Sequence, residues 1–379
     1  MSEEKLVPKL RFSGFDDEWK SVKLNETGDI VTGATPPTKN KDNFAESGYI
    51  WVTPGDIDSK KFVSKTERNL SEKGLEKGRK IESNSILVTC IGATIGKICM
   101  INEIGSCNQQ LNAITPNEYF FPDFIYYTIQ RTAKNLLLIA GNTATPILNK
   151  KSFGNLSYNF PSFDEQKKIA LFIDKIDRKI ELLENKHQEY QNFKKYLMQQ
   201  IFAQKLRFDF DDEWKQYKLK ELLTVKSSSI SINQLEDNIG DYPLYGASGF
   251  LKNIDFCEME TDYISIVKDG SGVGNLSYHE KNSSIVNTSQ YLLPKKDFDI
   301  HFLYYQLQTL NLLKYVNGSS IPHIYFKDYC IEKVTVPSLP EQQQIGKLFV
   351  DVDKTMENLD KNINVMQDFK KGLLQQMFI

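Results

Sequence analysis

From Ile169 the apolar positions advance in alternating steps of four and three: Ile169, Ile173, Ile176, Ile180 and Leu183, then His187, Tyr190, Lys194, Leu197 and Ile201. That is the heptad seam of a long helix packed along a partner. The same steps return at Ile345, Phe349, Val352, Met356, Leu359, Ile363, Met366, Lys370, Leu373 and Met377, with lysine at the same seam position in both. Pro161 with Asp164 and Glu165 supplies a helix start for the first, and Pro337 and Pro340 do so for the second. A helix of about 39 residues spans roughly 58 Å, too long for one globule to bury, so the two are expected to pair. Elsewhere the pattern is different. Short apolar runs at Tyr49 to Thr53, Ile86 to Ile91, Tyr263 to Val267 and Ser284 to Leu293 are broken by Gly, Pro, Asn and Ser. These read as mostly β globules, with helices at Pro122 to Ile139 and Phe298 to Tyr315. The fold class is therefore α+β: two mixed, mostly β globules alternating with two long helices that pair as an antiparallel coiled coil. The boundaries fall at 1–160 (first globule), 161–205 (central helix), 206–336 (second globule) and 337–379 (C-terminal helix).

The chain repeats itself. LRFSGFDDEWKSVKL, starting at Leu10, returns as LRFDFDDEWKQYKL, starting at Leu206, and the stretch from Phe160 to Phe202 aligns without a gap to Val336 to Phe378. The step from Trp19 to Trp214 is longer than the step from Glu165 to Glu341, so the ends are copied while the middles have diverged. The junction QQIFAQKLRF, starting at Gln199, would be recreated by joining the terminal QQMFI to the early PKLRF. A pseudo-two-fold arrangement with adjacent termini follows, with Trp19 and Trp214 packed at the joints and the Asp-Asp-Glu runs solvated.

Composition narrows the chemistry mainly by exclusion. With 379 residues, 40% hydrophobic and 25% charged, this is a multidomain globular protein. No signal peptide is read, and the longest apolar run, Leu136 to Ala140, is far short of a membrane span, so a cytoplasmic protein is expected. Five scattered cysteines and four dispersed histidines offer no metal knuckle and no catalytic triad. DGSGVG (Asp269 to Gly274) and IGATIG (Ile91 to Gly96) are followed by strand-like sequence, which makes them hairpin turns and not nucleotide loops. Glu184-Asn185-Lys186 resembles a nuclease Glu-x-Lys but lies on the polar face of a heptad helix. No catalytic, cofactor-binding or metal-binding residue is assigned. A net charge of -2 argues against a chain that grips polyanions by bulk charge.

The globules do offer uncharged hydrogen-bonding loops. These are TGATPPTKNK from Thr32, TPGDID from Thr53, CNQQLN from Cys107 and GNTATP from Gly141, then YGASG from Tyr245, VNTSQ from Val286 and GSSIPH from Gly318. Asn and Gln can read adenine two-pronged, and Ser and Thr several base edges, although turn formation accounts for the same residues.

GATPPTKN, YIWVTPGDI, IGATIGK, NQQLNAI and FPSFDEQKKIA, closing on VPSLPEQQQI, resemble the specificity (S) subunit of type I restriction-modification systems over nearly the whole chain. The second globule departs from the pattern, carrying YPLYGASG and IVKDGSG in place of TPGDI. The resemblance implies two target-recognition domains, each reading one half of a bipartite, asymmetric site in double-stranded DNA. Half-site centres about one helical turn, roughly 10 bp, apart are expected. It also implies a non-catalytic subunit that binds no cofactor. Two methyltransferase (M) subunits would bring S-adenosylmethionine, and restriction/motor (R) subunits would bring ATP and Mg. Expected DNA contacts are Thr35, Lys39, Asn40, Thr94, Lys97, Asn108, Gln109 and Gln110 in the first half, and Lys268, Ser271, Asn287, Ser289, Gln290 and Ser319 in the second. Competing readings are the specificity chain of a type II system, a DNA-free coiled-coil scaffold, and a single-chain nuclease or methyltransferase.

Overall fold

A computed structural model describes residues 6–141, 145–235, 238–318 and 320–379. The chain divides into two compact units, Met1–Leu182 with Ile363–Ile379, and Leu183–Asn362. Each contains one globule and a segment of both long helices, the central helix Phe163–Phe202 and the C-terminal helix Leu339–Met377.

In the first unit β1 (Lys20–Lys23) precedes a four-stranded antiparallel sheet built from β2 (Gly28–Thr32), β3 (Ile86–Thr89), β4 (Ile98–Met100) and β5 (Leu111–Pro116), in the order β2-β5-β3-β4. β6 (Ser157–Phe160) returns to pair antiparallel with β1, tying the end of the globule to its beginning. Helix α1 (Pro122–Ala140) packs against β3 and β4. Proline opens it, where no N–H is needed, and Gly141 at φ +90° ends it. Its buried side chains, Phe124, Ile125, Tyr127 and Ile129, share a core with Trp19, with Ile173 and Ile176 of the central helix, with Leu373 and Met377 of the C-terminal helix, and with Phe378 just beyond it.

The second unit rebuilds the plan with different residues. β7 (Lys215–Lys218) is followed by β8 (Leu223–Ser227), β9 (Tyr263–Val267), β10 (Leu276–His279) and β11 (Ser289–Pro294), whose sheet order β8-β11-β9-β10 matches the first. β12 (Lys333–Val336) pairs antiparallel with β7. The helix expected over Phe298 to Tyr315 is shorter. Asp299 caps it by accepting from the Phe302 N–H at 2.8 Å, so α2 runs Ile300–Gln308. The Thr309 hydroxyl then donates to the Gln306 carbonyl, and only a 3-10 turn, Leu312–Tyr315, follows.

His279 of β10 is buried between Tyr245 and Tyr263, with Nε2 2.9 Å from the Ser265 hydroxyl. Burial pulls its pKa down to about 4. The folded chain therefore resists protonation that the unfolded chain accepts near pH 6.5. The neutral ring costs nothing above that pH and lowers stability as pH falls toward 4, by about 3 kcal/mol in full. Between pH 7 and pH 4 the second unit of the wild type should lose more denaturant resistance than that of His279→Gln. Parallel losses would show the ring to be free to protonate in the fold.

Along the seam, Ile169, Ile173, Ile176, Ile180, Ile345, Phe349, Val352 and Leu359 are buried, while Leu183 and Met356 are half-buried. In the second unit Lys194 pairs with Asp353 at 2.7 Å and His187 with Asp360 at 3.3 Å, so the helix segments there run antiparallel. In the first, Lys370 pairs with Asp177 at 2.6 Å.

The repeated LRF phrases end up against the helix starts. Arg11 makes a two-pronged bond to Glu165 (2.7 and 2.8 Å), and Arg207 makes its counterpart to Glu341 (2.9 and 2.8 Å). Both carboxylates are almost wholly buried, and the pairing raises the pKa of each arginine. The glutamine that follows each glutamate holds the globule: Gln166 accepts from the Phe121 N–H and Gln342 from the Asp299 N–H, both at 2.9 Å. The terminal joint also repeats the internal one. The Leu10 N–H donates to the Gln376 carbonyl at 2.9 Å, as the Leu206 N–H does to Gln200 at 3.2 Å.

Candidate nucleic-acid interface

The antiparallel register gathers the polar loops of each globule at one end of its main sheet. In the first unit Thr32 at the end of β2 faces Asn112 at the start of β5, and Thr89 at the end of β3 faces Leu111. Loops 33–43, 90–97 and 107–110 therefore emerge together. A fourth, 145–148, is fastened beside them by bonds from the Gly92 N–H to the Pro146 carbonyl and from the Leu148 N–H to the Cys90 carbonyl. The Ala34 N–H bonds to the Cys107 carbonyl, and the Thr35 hydroxyl donates to Gln109 Oε1 at 2.5 Å, joining the first loop to the third.

The second unit repeats this. Ser227 faces Gln290 and Val267 faces Ser289, so loops 228–235, 268–275 and 286–288 share an end. The segment around Pro322 is held there by the Gly270 N–H to Pro322 and Ile324 N–H to Lys268 carbonyl bonds. Both Gly-rich phrases are hairpin turns. Gly92 and Gly96, like Gly270 and Gly274, have φ between +85° and +94°. A Cβ on Gly96 would also sit 2.4 Å from the Ala133 carbonyl of α1.

The expected contact residues separate by what they already hold. Thr35, Lys39, Asn40, Thr94, Gln109, Ser271 and Asn287 are exposed. Asn40 Oδ1 accepts from the Asp42 N–H and caps the 3-10 turn Lys41–Asn43. Asn108 builds its own turn, accepting from the Gln110 N–H and donating to the Gln110 side chain. Lys97 is exposed, but its ammonium donates to the Pro54 and Ile57 carbonyls, both at 2.9 Å, and so props up the TPGDI loop. Lys268 is half-buried beside Asp269 at 3.5 Å, and Gln290 donates to the Ser227 hydroxyl at 3.2 Å. Ser289 is 2% exposed, within the sheet, so its hydroxyl supports the loop and does not face outward. Ser319 lies outside the described residues.

One cation escaped the loop-by-loop reading. Arg79 is exposed and donates to the Thr32 carbonyl at 2.9 Å, which places a guanidinium beside the first loop cluster. It comes from outside the loops and carries no local motif, so only the fold reveals it. Among the described residues no group of three or more His, Cys, Asp or Glu could hold a metal ion, and no helix is long and apolar enough to cross a membrane. Burial raises the pKa of Cys90 and Cys107 to about 12, which keeps both thiols protonated.

A family model for the type I restriction modification DNA specificity domain matches twice, over residues 16–192 and 211–367. The chain belongs to this family. It is the specificity component of a type I restriction-modification system and not its catalytic chain. It is 21% identical over 406 aligned positions to the type I restriction enzyme MjaIX specificity subunit of Methanocaldococcus jannaschii, an alignment covering 95% of this chain and 92% of that one. It is 30% identical over 166 positions to the HindI specificity subunit of Haemophilus influenzae, covering 41% and 36%. The crystal structure of a type I restriction-modification S subunit from M. genitalium superposes with a TM-score of 0.70 at 19% identity, over 98% of this chain and 99% of that one, and shows the same fold.

Proposed function

We propose that each globule reads one half of a bipartite, asymmetric site in double-stranded DNA, using the loops gathered at the end of its main sheet. The observation that carries this reading is the pair of equivalent strand orders, β2-β5-β3-β4 and β8-β11-β9-β10, ending in loops of unlike sequence. Equal scaffolds with unequal loops suit a site with two different halves. Thr35, Thr94 and Gln109 are the first-half side chains most open to base edges, and Ser271 and Asn287 the second-half ones. Lys39 and Arg79 suit phosphate contacts. The paired long helices set the gap between half-sites and dock two methyltransferase subunits. Those subunits bring S-adenosylmethionine, R subunits bring ATP and Mg, and this chain binds no cofactor. Partner subunits carry much of the phosphate contact, which accommodates the net charge of -2. The complex works in the cytoplasm.

The test is to exchange residues 206–335 for those of a relative, assemble the complex with its methyltransferase chains, and sequence the methylated sites. One half of the motif should change while the other stays. A change in both halves together would overturn the two-reader assignment.

A further inference from the structure

Each unit contains the same three-residue contact, made from three separate helices. In the first, the Tyr127 hydroxyl of α1 donates to Asp177 Oδ2 of the central helix at 2.8 Å. Lys370 of the C-terminal helix reaches Asp177 Oδ1 at 2.6 Å and lies 5.4 Å from the Tyr127 ring centre. In the second, the Tyr305 hydroxyl of α2 donates to Asp353 Oδ2 of the C-terminal helix at 2.7 Å. Lys194 of the central helix reaches Asp353 Oδ1 at 2.7 Å and lies 5.0 Å from the Tyr305 ring. The long helices exchange roles between the units, one giving the aspartate and the other the lysine.

Both tyrosines are almost wholly buried, and burial next to a carboxylate raises their pKa, so each hydroxyl remains a donor. Each lysine occupies a seam position that a plain coiled coil would fill with an apolar side chain. A tyrosine, an aspartate and a lysine that satisfy one another fix a single angle, whereas apolar packing tolerates several.

We infer that these two triads are positioning latches for sequence readout, each holding one globule helix, and the sheet packed on it, at a fixed tilt on the helix pair. The inference rests on the two-reader assignment above. α1 packs against β3 and β4, and α2 against β9, β10 and β11, and the reading loops leave the ends of those sheets. A rotation at the helix therefore moves the loop tips, and hydrogen bonds to base edges weaken steeply when misaligned. Tyr127, Asp177 and Lys370 govern the first half-site; Tyr305, Asp353 and Lys194 govern the second.

The latches are unequally reinforced. In the first unit Lys61 also bonds to Asp123 of α1 and to Asp174 of the central helix (2.8 Å), which is itself paired with Arg178. The repeat places Val350 where Asp174 stands, so the second unit has no such carboxylate there. The second latch is consequently the more sensitive.

The experiment uses the full chain assembled with its methyltransferase subunits and reads methylation by sequencing at cognate sites and at sites with one mismatch. The wild type must first show a bipartite motif; a single undivided motif would defeat the two-reader assignment itself. Lys194→Met and the milder Tyr305→Phe should raise methylation at second-half mismatches about tenfold relative to cognate sites, with first-half discrimination unchanged. Lys194→Arg should restore discrimination. Lys370→Met should relax the first half alone, by a smaller factor. Uniform loss of methylation with both halves still discriminating, or equal relaxation of both halves by Lys194→Met and Tyr305→Phe, would overturn the latch role and leave the triads as fold stabilisers only.

Discussion

Truncating Trp19 to alanine is expected to cost the first unit about 3–5 kcal/mol, the largest single loss among the substitutions considered. The indole is 2% exposed. It meets Phe124 of α1 edge-on at 5.7 Å and Phe378, just past the C-terminal helix, at 6.5 Å, so one side chain joins the segment leading into β1, the globule helix and the end of a long helix. The surrounding rings are held from three directions and cannot close the cavity. Trp19→Phe should cost far less, because a ring still fills much of the site and the indole N–H has no acceptor among the described residues. Denaturant titration of the full chain checks both. If alanine and phenylalanine cost the same, packing is not what the tryptophan supplies.

How much of this was legible in the sequence follows from how local each signal is. Heptad spacing is carried by neighbouring residues, so Ile169, Ile173, Ile345 and Phe349 could be placed on a seam before any fold was known. The hairpins at IGATIG and DGSGVG were legible for the same reason: glycine at φ > 0 sits between two apolar runs. The end of α2 at Gln308 was not, because the apolar pattern continues through Leu310, Leu312 and Leu313 while the Thr309 cap works through a hydroxyl bond. Lys194 and Lys370 are visible as matching interruptions of the seam, yet their partners lie on other helices, and nothing in the local pattern singles out Tyr127 or Tyr305 within their helical stretches. Within the candidate loops, residue type alone does not separate open side chains from those the fold already uses. Exposure depends on strand register, so buried Ser289 and the carbonyl-tethered Lys97 could not be told apart from open Thr94 and Asn287.

The Glu-Gln pairs at the helix starts show the same limit, and they carry the second large effect. From sequence alone Glu165 suits a helix N-terminus on charge grounds. In the fold it is 1% exposed and accepts from Nε and Nη2 of Arg11. Replacing Arg11 with methionine keeps much of the apolar stem but strands a carboxylate that has left water. Breaking a fully buried pair costs about 3–5 kcal/mol, and since the arginine itself is partly solvated, about 2–3 kcal/mol is expected. Adding Glu165→Gln to Arg11→Met should recover most of that loss, because the neutral amide is far cheaper to bury. The double variant would then be more stable than the single one, an inversion that surface charge pairs do not produce. Equal denaturation midpoints for the single and double variants would mean that the Arg11 contribution is packing of its stem and not neutralisation of Glu165.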